Sequence, residues 1–209
     1  MGLVFKQTNP LFGVWRIEES VEELLSLLDR PEEQANFLHK VTAEGRRKER
    51  LASRVLLKTL TGTEPQVAYH PSGAPFLTDR PFHVSISHTQ GYAAAILGTS
   101  PTGIDIEYRS NRVLRIRSRF MTPEEDQCID PVHTVEHLLL HWCAKETLFK
   151  IIGQEEVDFR AHLYIHPFIY AEEGLFQVSE YRTPQTRSYQ LAYRVTSDYV
   201  MTWLSETSI

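Results

Sequence analysis

A short acidic strand pattern constrains the fold of this chain more than any other feature. Apolar and acidic residues alternate in the sequence GIDIE at residues 103–107. Successive side chains of a β-strand point to opposite faces, so Asp105 and Glu107 share one face of the predicted strand. Two neighbouring carboxylates repel each other unless a cation lies between them. The pattern therefore indicates either two surface carboxylates or a strand at a core boundary that holds a cation.

A second motif supplies a third carboxylate and a lysine. The sequence WCAKETLFK at residues 142–150 has helical character, and Glu146 and Lys150 are i and i+4 neighbours on one helix face. One interpretation is a solvated Glu–Lys pair. The other is that Glu146 faces a metal ion while Lys150 reaches a phosphate. Three oxygen ligands suit Mg²⁺ better than Zn²⁺, which prefers Cys and His.

Length, charge and cysteine content are typical of an ordinary soluble protein. The chain has 209 residues and a formal net charge of −5, which allows one substantial core or two small halves. The acidic balance argues against nucleic-acid binding, and no apolar run approaches the roughly 20 residues needed to span a membrane. The first residues lack a signal-peptide pattern, and we interpret Cys128 and Cys143 as free thiols of a cytoplasmic protein.

Hydrophobic periodicity predicts a mixed order of helices and strands. Helices are predicted to begin near residues 20, 42, 122 and 131. Strands are predicted at residues 12–17, 82–89, 92–97, 104–107, 163–170, 175–181, 189–195 and 199–204. The proline-rich residues 63–81 are predicted to form a loop with one short strand. This order favours the α+β fold class.

The helix predicted at residues 42–61 has a basic side. Arg46, Arg50, Arg54 and Lys58 recur at i+4 spacing, with Arg47 and Lys48 beside the first of them. A basic helix side is usually a solvated surface. Because the rest of the chain is acidic, a local anion site is the alternative.

Two histidine-containing segments carry weaker signals. Ser87, His88 and Thr89 at the end of a predicted strand suit either a hydrogen-bonded strand end or a phosphate site; a Ser–His nucleophile would need an elbow that is absent here. Residues 133, 137 and 141 are histidines at i+4 spacing on one predicted helix. Without the glutamate of an H-E-x-x-H motif, they predict a polar helix face rather than a zinc site.

In this order and spacing, the two acidic motifs resemble the signature of the 4′-phosphopantetheinyl transferases. Residues 73–75 resemble the family's Gly-Lys-Pro turn, residues 86–89 its Ser-His-Ser/Thr segment, and residues 120–125 its phenylalanine-to-glutamate segment. The basic helix lies where larger members carry one. The length and the N-terminal half are similar to the larger, monomeric, surfactin-synthetase-activating type.

The resemblance implies a fold and a division of the chain. The fold would be α+β, a pseudo-dimer of two similar α/β halves, each a small, mainly antiparallel sheet packed on a long helix. Residues 1–100 would form the N-terminal half, which contributes to coenzyme A binding. Residues 101–209 would form the C-terminal half, with the metal site and the signature helix. The implied protein is a cytoplasmic monomer without nucleic-acid or membrane partners.

The resemblance also implies an enzyme. Its activity would be Mg²⁺-dependent transfer of the 4′-phosphopantetheine arm of coenzyme A to a serine of an apo acyl or peptidyl carrier protein, releasing 3′,5′-adenosine bisphosphate. Coenzyme A and the carrier protein would be its partners. A Mg²⁺-dependent phosphohydrolase and a non-catalytic coenzyme A-binding module are the alternatives.

Site residues follow from the same resemblance. Asp105, Glu107 and Glu146 would hold Mg²⁺, and Glu146 is also expected to deprotonate the carrier serine, directly or through water. The implied catalytic set is Glu146, Lys150 and Asp105. Coenzyme A contacts would come from Lys150 and from six N-terminal residues: Arg46, Arg47, Lys48, Ser87, His88 and Thr89.

One position departs from the family pattern. The lysine of the Gly-Lys-Pro turn is replaced by Ala74, so one phosphate contact is missing. His70 and Arg80, on either side of this turn, are the candidates to replace it.

Overall fold

The chain folds into two compact units, Met1–Thr99 and Ser100–Ile209. A computed structural model describes residues 2–38 and 41–206. Both units combine antiparallel sheets with helices. This confirms the predicted α+β class.

The N-terminal unit joins a four-stranded antiparallel sheet to one long helix. Its sheet has the strand order β1-β2-β6-β5, and β3 and β4 pair as a separate hairpin. In chain order the elements are β1 (Leu3–Thr8), β2 (Leu11–Arg16), α1 (Val21–Ser26), α2 (Pro31–Leu38), α3 (Glu44–Thr61), β3 (Val67–Tyr69), β4 (Pro75–Leu77), β5 (His83–Thr89) and β6 (Tyr92–Gly98).

Helix α3 packs on β2, β5 and β6 through an apolar side that the sequence predicts. Leu51, Val55 and Leu56 are buried on this side. The helix ends at Gly62, whose φ of 81° lies in the left-handed region that glycine adopts without steric cost. The basic side is not simply a solvated surface, because Arg54 on that side is buried.

The C-terminal unit joins a five-stranded antiparallel sheet to the second long helix. Its strand order is β7-β11-β10-β9-β8. In chain order the elements are β7 (Ile104–Tyr108), α4 (Arg112–Phe120), α5 (Pro123–Gln127), α6 (Thr134–Ile152), β8 (Leu163–Ile165), β9 (Glu173–Glu180), β10 (Ser188–Val195) and β11 (Tyr199–Glu206). Helix α6 packs chiefly on β7 and β11.

A glycine sets how closely α6 approaches the start of β7. A Cβ atom at Gly103 would lie 2.5 Å from the carbonyl oxygen of Thr147 and 2.8 Å from Cγ1 of Ile151. Side chains essentially never tolerate such short contacts with backbone. The absence of a side chain at the first residue of the GIDIE motif therefore lets the helix lie directly beside the acidic strand.

The start of α6 differs from the sequence-based expectation. The Asp-Pro pair at residues 130–131 predicts a helix start, but the helix begins at Thr134. Oδ1 of Asp130 instead accepts hydrogen bonds from the backbone N–H groups of Val132 and His133, each at 2.8 Å. The aspartate thus caps a turn that precedes the helix, and the prediction is wrong by one turn.

The predicted polar histidine face of α6 is also wrong. His137 and His141 are buried, and both rings lie against the ring of Phe168. Nδ1 of His137 accepts a hydrogen bond from the Asp130 backbone N–H at 3.0 Å. Nδ1 of His141 lies 2.9 Å from the carbonyl oxygen of His137. These histidines therefore belong to the core of the C-terminal unit.

Sequence periodicity also misses β1, α2 and α4, and it predicts one short strand at residues 63–81 where the structure has two, β3 and β4. In α4 four arginines are distributed along the sequence RVLRIRSRF, which obscures a helical period whose buried positions are Val113 and Phe120. The strand predicted at residues 163–170 ends at Ile165. Among the helices of the described residues, none has the length and apolar character to cross a membrane.

Replacing Gly103 with alanine is expected to destabilise the protein, because the new Cβ would clash with the Thr147 carbonyl on α6. The expected loss in the free energy of unfolding is about 1–3 kcal/mol, measured by urea titration. Gly45→Ala is the matched control, since nothing lies within 4 Å of a Cβ at that position. Equal stabilities of the two variants would contradict the packing argument.

Candidate functional site

The structure brings β7 and α6 together so that the two acidic motifs face each other. Nζ of Lys150 donates to Oδ1 of Asp105 at 2.7 Å and to the carbonyl oxygen of Ile104 at 2.9 Å. Nε1 of Trp142 donates to Oε1 of Glu107 at 2.9 Å. Both carboxylates of the strand are thus bound by side chains of the helix.

The third carboxylate, Glu146, lies within electrostatic range of the other two. Burial raises the pKa of Glu146 to about 7, with a further contribution from the negative charge of Asp105 and a smaller one from Glu107, against the opposing effect of Lys150. Burial and the charge of Asp105 likewise raise the pKa of Glu107. Three carboxylates therefore share one partly buried, electrostatically strained environment.

The donor chemistry of this cluster suits a hard divalent cation. Carboxylate oxygens are ligands that Mg²⁺ prefers, and a cation would offset both the burial and the mutual repulsion that raise these pKa values. The side chains are nevertheless not arranged at coordination distance: within the described residues, no group of three His, Cys, Asp or Glu side chains could hold a metal ion as it stands. Metal binding at this cluster would require side-chain rearrangement.

Behind the carboxylates lies a buried ion pair that sequence reasoning missed. Nζ of Lys145 donates to Oε2 of Glu125 at 2.7 Å, and neither side chain is exposed. Glu125 also closes the predicted capping box with Thr122 and accepts the backbone N–H of Ile165 at 2.9 Å. The i+4 spacing pairs Lys150 with Glu146 and so identifies it as a candidate site residue. Nothing in the spacing distinguishes Lys145 from a solvated lysine.

In the N-terminal unit, the predicted coenzyme A residues lie on α3 and β5. Nη1 of Arg46 lies 3.0 Å from Oε2 of Glu49 and 3.5 Å from Nδ1 of His88. His88 in turn lies 3.3 Å from Glu49. Ser87 is buried on β5 beside it. Arg46 and His88 are therefore neighbours, and a glutamate lies between them.

Two further arginines of α3 have unused hydrogen-bonding capacity. Nε of Arg47 and Nη1 of Arg54 are buried without a hydrogen-bond partner in the described part of the protein. Nη2 of Arg54 donates to the Tyr69 hydroxyl at 3.1 Å, and its guanidinium lies 5.5 Å from the centre of that ring. Desolvation lowers the pKa of Arg54. A buried arginine of this kind would be stabilised by a nearby anion.

The turn that carries Ala74 lies between β3 and β4. The candidate substitutes for its missing lysine are both engaged within the unit. The ring of His70 lies 4.4 Å from that of Phe76, centre to centre. Nη2 of Arg80 lies 2.8 Å from Oδ2 of Asp79 and 3.3 Å from the Thr63 hydroxyl. Arg54, which contacts Tyr69 in the same hairpin, is a third candidate that the sequence alone did not identify.

Comparison with known proteins adds one finding. Residues 101–203 match the family model described as the 4′-phosphopantetheinyl transferase superfamily. This range contains β7, α6 and all three carboxylates of the cluster. A search of curated proteins found no significant match.

The raised pKa of Glu146 predicts the direction in which the stability of the folded protein changes with pH. Because the folded protein holds this proton more tightly than the unfolded chain does, the stabilisation from protonation is complete below the ordinary pKa of 4.5 and is lost as the pH rises through about 7. In chelator, Glu146→Gln should therefore gain stability relative to wild type as the pH rises from 5 to 8, as measured by urea unfolding.

The exposed Glu155 provides the matched control. Glu155→Gln makes the same chemical change, and the difference between its free energy of unfolding and that of wild type should stay constant across this pH range. If Glu146→Gln also tracked wild type, the raised pKa and the clustering of carboxylates would both be contradicted.

Proposed function

The chain belongs, through residues 101–203, to the 4′-phosphopantetheinyl transferase superfamily, and on this premise we propose a specific reaction. The protein transfers the 4′-phosphopantetheine arm of coenzyme A to a serine of an apo carrier protein and releases 3′,5′-adenosine bisphosphate. One bond forms between the serine oxygen and the β-phosphorus, and the bond from that phosphorus to the bridging oxygen breaks. The reaction requires Mg²⁺.

The observation that carries this proposal is the convergence of Asp105, Glu107 and Glu146 beside Lys150. These carboxylates would hold Mg²⁺, which when bound neutralises charge on the pyrophosphate and orients it. Phosphoryl transfer depends mainly on positioning and on electrostatic stabilisation of this kind. The chemistry of the ligands and the raised pKa values both favour a cation at this place.

Glu146 is proposed to take the proton of the carrier serine, directly or through a water molecule. A general base works best when its pKa is near the operating pH, and burial already brings that of Glu146 to about 7. Lys150 would place its ammonium against the phosphate from which 3′,5′-adenosine bisphosphate departs. Its present hydrogen bond to Asp105 keeps it at the cluster.

Residues of the N-terminal unit are also proposed to bind coenzyme A. Arg46, Arg47, Lys48, Ser87, His88 and Thr89 would bind its phosphates and nucleotide. The proximity of Arg46 to His88 and the buried, unsatisfied Nε of Arg47 support this set. Arg54 joins it, because its buried guanidinium lies at the hairpin where the family lysine is missing.

Helix α4 is the proposed docking surface for an acidic carrier protein. It contains four arginines and no acidic residue. Arg112, Arg115 and Arg119 are exposed beside Leu114, which is 43% exposed. In a chain whose net charge is −5, this helix offers a local basic and apolar surface.

The two units repeat the same combination of a sheet and a long helix, which bears on the type of enzyme. We propose the larger, monomeric type, a cytoplasmic pseudo-dimer of two similar halves. In each unit an antiparallel sheet packs on one long helix, α3 of 18 residues or α6 of 19 residues, and this repetition supports the proposal.

Mixing the protein with coenzyme A, Mg²⁺ and an apo acyl carrier protein should increase the carrier mass by one phosphopantetheine unit, as measured by intact-protein mass spectrometry. Glu146→Gln is expected to reduce the rate at least about a hundredfold, because the base and one metal ligand are lost together. Glu155→Gln, an exposed change of equal charge, should retain the wild-type rate. Coenzyme A degradation without carrier would indicate a hydrolase, and binding without turnover a binding module.

Reversing the charge of arginines on α4 should weaken binding of the carrier protein without affecting binding of coenzyme A. The double variant Arg115→Glu/Arg119→Glu is expected to raise KM for an acidic carrier on the order of tenfold or more, with most of the effect lost at high salt. KM for coenzyme A should stay unchanged. Lys6→Glu/Arg16→Glu on β1 and β2 makes the same change in net charge at other exposed positions. Equal effects of the two double variants would exclude α4 as the docking surface.

A further inference from the structure

The Lys145 ammonium holds three separate segments of the C-terminal unit in place. It donates to the carbonyl oxygen of Phe120 at 2.6 Å, to Glu125 Oε2 at 2.7 Å and to the carbonyl oxygen of Phe159 at 3.0 Å. These acceptors come from the end of α4, from α5 and from the loop after α6. An ammonium has three N–H donors, so its hydrogen-bonding capacity is fully used.

Two of these three acceptors belong to residues whose rings flank Trp142. The Phe120 ring meets the Trp142 ring edge-on, with centroids 5.3 Å apart. The Phe159 ring lies 5.5 Å from it at an interplanar angle of 34°. Lys145 therefore fixes the backbone of both residues whose rings pack against the indole of Trp142.

The indole in turn holds a carboxylate of the acidic cluster. Nε1 of Trp142 donates to Oε1 of Glu107 at 2.9 Å. The indole N–H is a donor only, so its direction fixes where the glutamate oxygen can lie. A continuous series of contacts runs from Lys145 through the two phenylalanines and Trp142 to Glu107.

We propose that Lys145 is a positioning residue that sets the orientation of Trp142 and, through it, of Glu107. The proposal rests on the proposed function, in which Glu107 is a metal ligand. Hydrogen-bonded partners behind a metal ligand commonly set its orientation and affinity. Lys145 precedes Glu146 in the chain but acts on a different ligand, by way of the aromatic residues.

Stability alone does not account for a lysine at this position. A buried ion pair is often no more stabilising than apolar side chains of the same volume. An apolar residue at position 145 could fill the same space, but it could not bind the carbonyl oxygens of Phe120 and Phe159. The distinctive contribution of the ammonium is to fix these two backbone positions together.

The test is the double variant Lys145→Met/Glu125→Gln, which removes both charges and leaves no buried ion unpaired. The readout is the indole N–H resonance of Trp142 in a ¹H–¹⁵N spectrum recorded without Mg²⁺, coenzyme A or carrier. The chain has three tryptophans, and Trp142→Phe identifies the resonance by its loss. Glu107→Gln gives the shift expected when the carboxylate partner is changed.

In the double variant the Trp142 resonance should move or broaden, and the Mg²⁺ concentration that gives half-maximal transfer should rise on the order of tenfold. Glu180→Gln is the control. Glu180 is a fully buried carboxylate that binds backbone N–H groups of the β9–β10 turn. This variant should leave the Trp142 resonance unchanged even if it lowers stability.

An unchanged Trp142 resonance in the folded double variant would overturn the proposal. If the double variant does not fold, Lys145→Arg takes its place, because it keeps a positive charge beside Glu125 but changes the donor geometry toward the carbonyl oxygens of Phe120 and Phe159. An unchanged Trp142 resonance in that variant would also overturn the proposal. A moved resonance in a protein that transfers nothing would retain the positioning role and reject the transferase function.

Discussion

The direct contact of α6 with the start of β7 is the constraint on which the site depends. Gly103 allows this contact, since any side chain there would meet the Thr147 carbonyl. With the helix so close, Lys150 reaches Asp105 and Trp142 reaches Glu107. The glycine at the head of the acidic motif is thus as much a part of the site as the carboxylates that follow it.

Two kinds of charge are kept inside the C-terminal unit by different means. Lys145 and Glu125 neutralise each other and have no exposed side-chain surface. The carboxylates of Glu107 and Glu146 both lie near Lys150, and Arg112 also acts on Glu107, yet the pKa values of both carboxyls are raised. The first pair is electrostatically complete. The second group has an excess of negative charge, which is what a site for a cation requires.

Much of this arrangement could be predicted from short patterns. Strand alternation places Asp105 and Glu107 side by side, and i+4 spacing places Glu146 beside Lys150, because both periods are fixed by the backbone alone. Burial of individual polar side chains could not be predicted. Lys145, His137 and Arg54 each look like solvent-exposed residues in sequence, and only contacts with distant segments bury them. Helix α4 escaped detection because its arginines interrupt the apolar period.

The buried histidines of α6 make the C-terminal unit sensitive to acid. Burial lowers the pKa of His137 and lowers that of His141 to about 3. The unfolded chain therefore takes up more protons on these rings than the folded unit does as the pH falls below about 6.5, so the histidines lower stability as the pH drops through that range. Glu146 has the opposite linkage: the stabilisation from its protonation is complete below about pH 4.5 and is lost as the pH rises through about 7. The imidazoles and the carboxyl therefore oppose each other over the same mildly acidic range. Of these three residues, only the histidines continue to weaken the fold below that range.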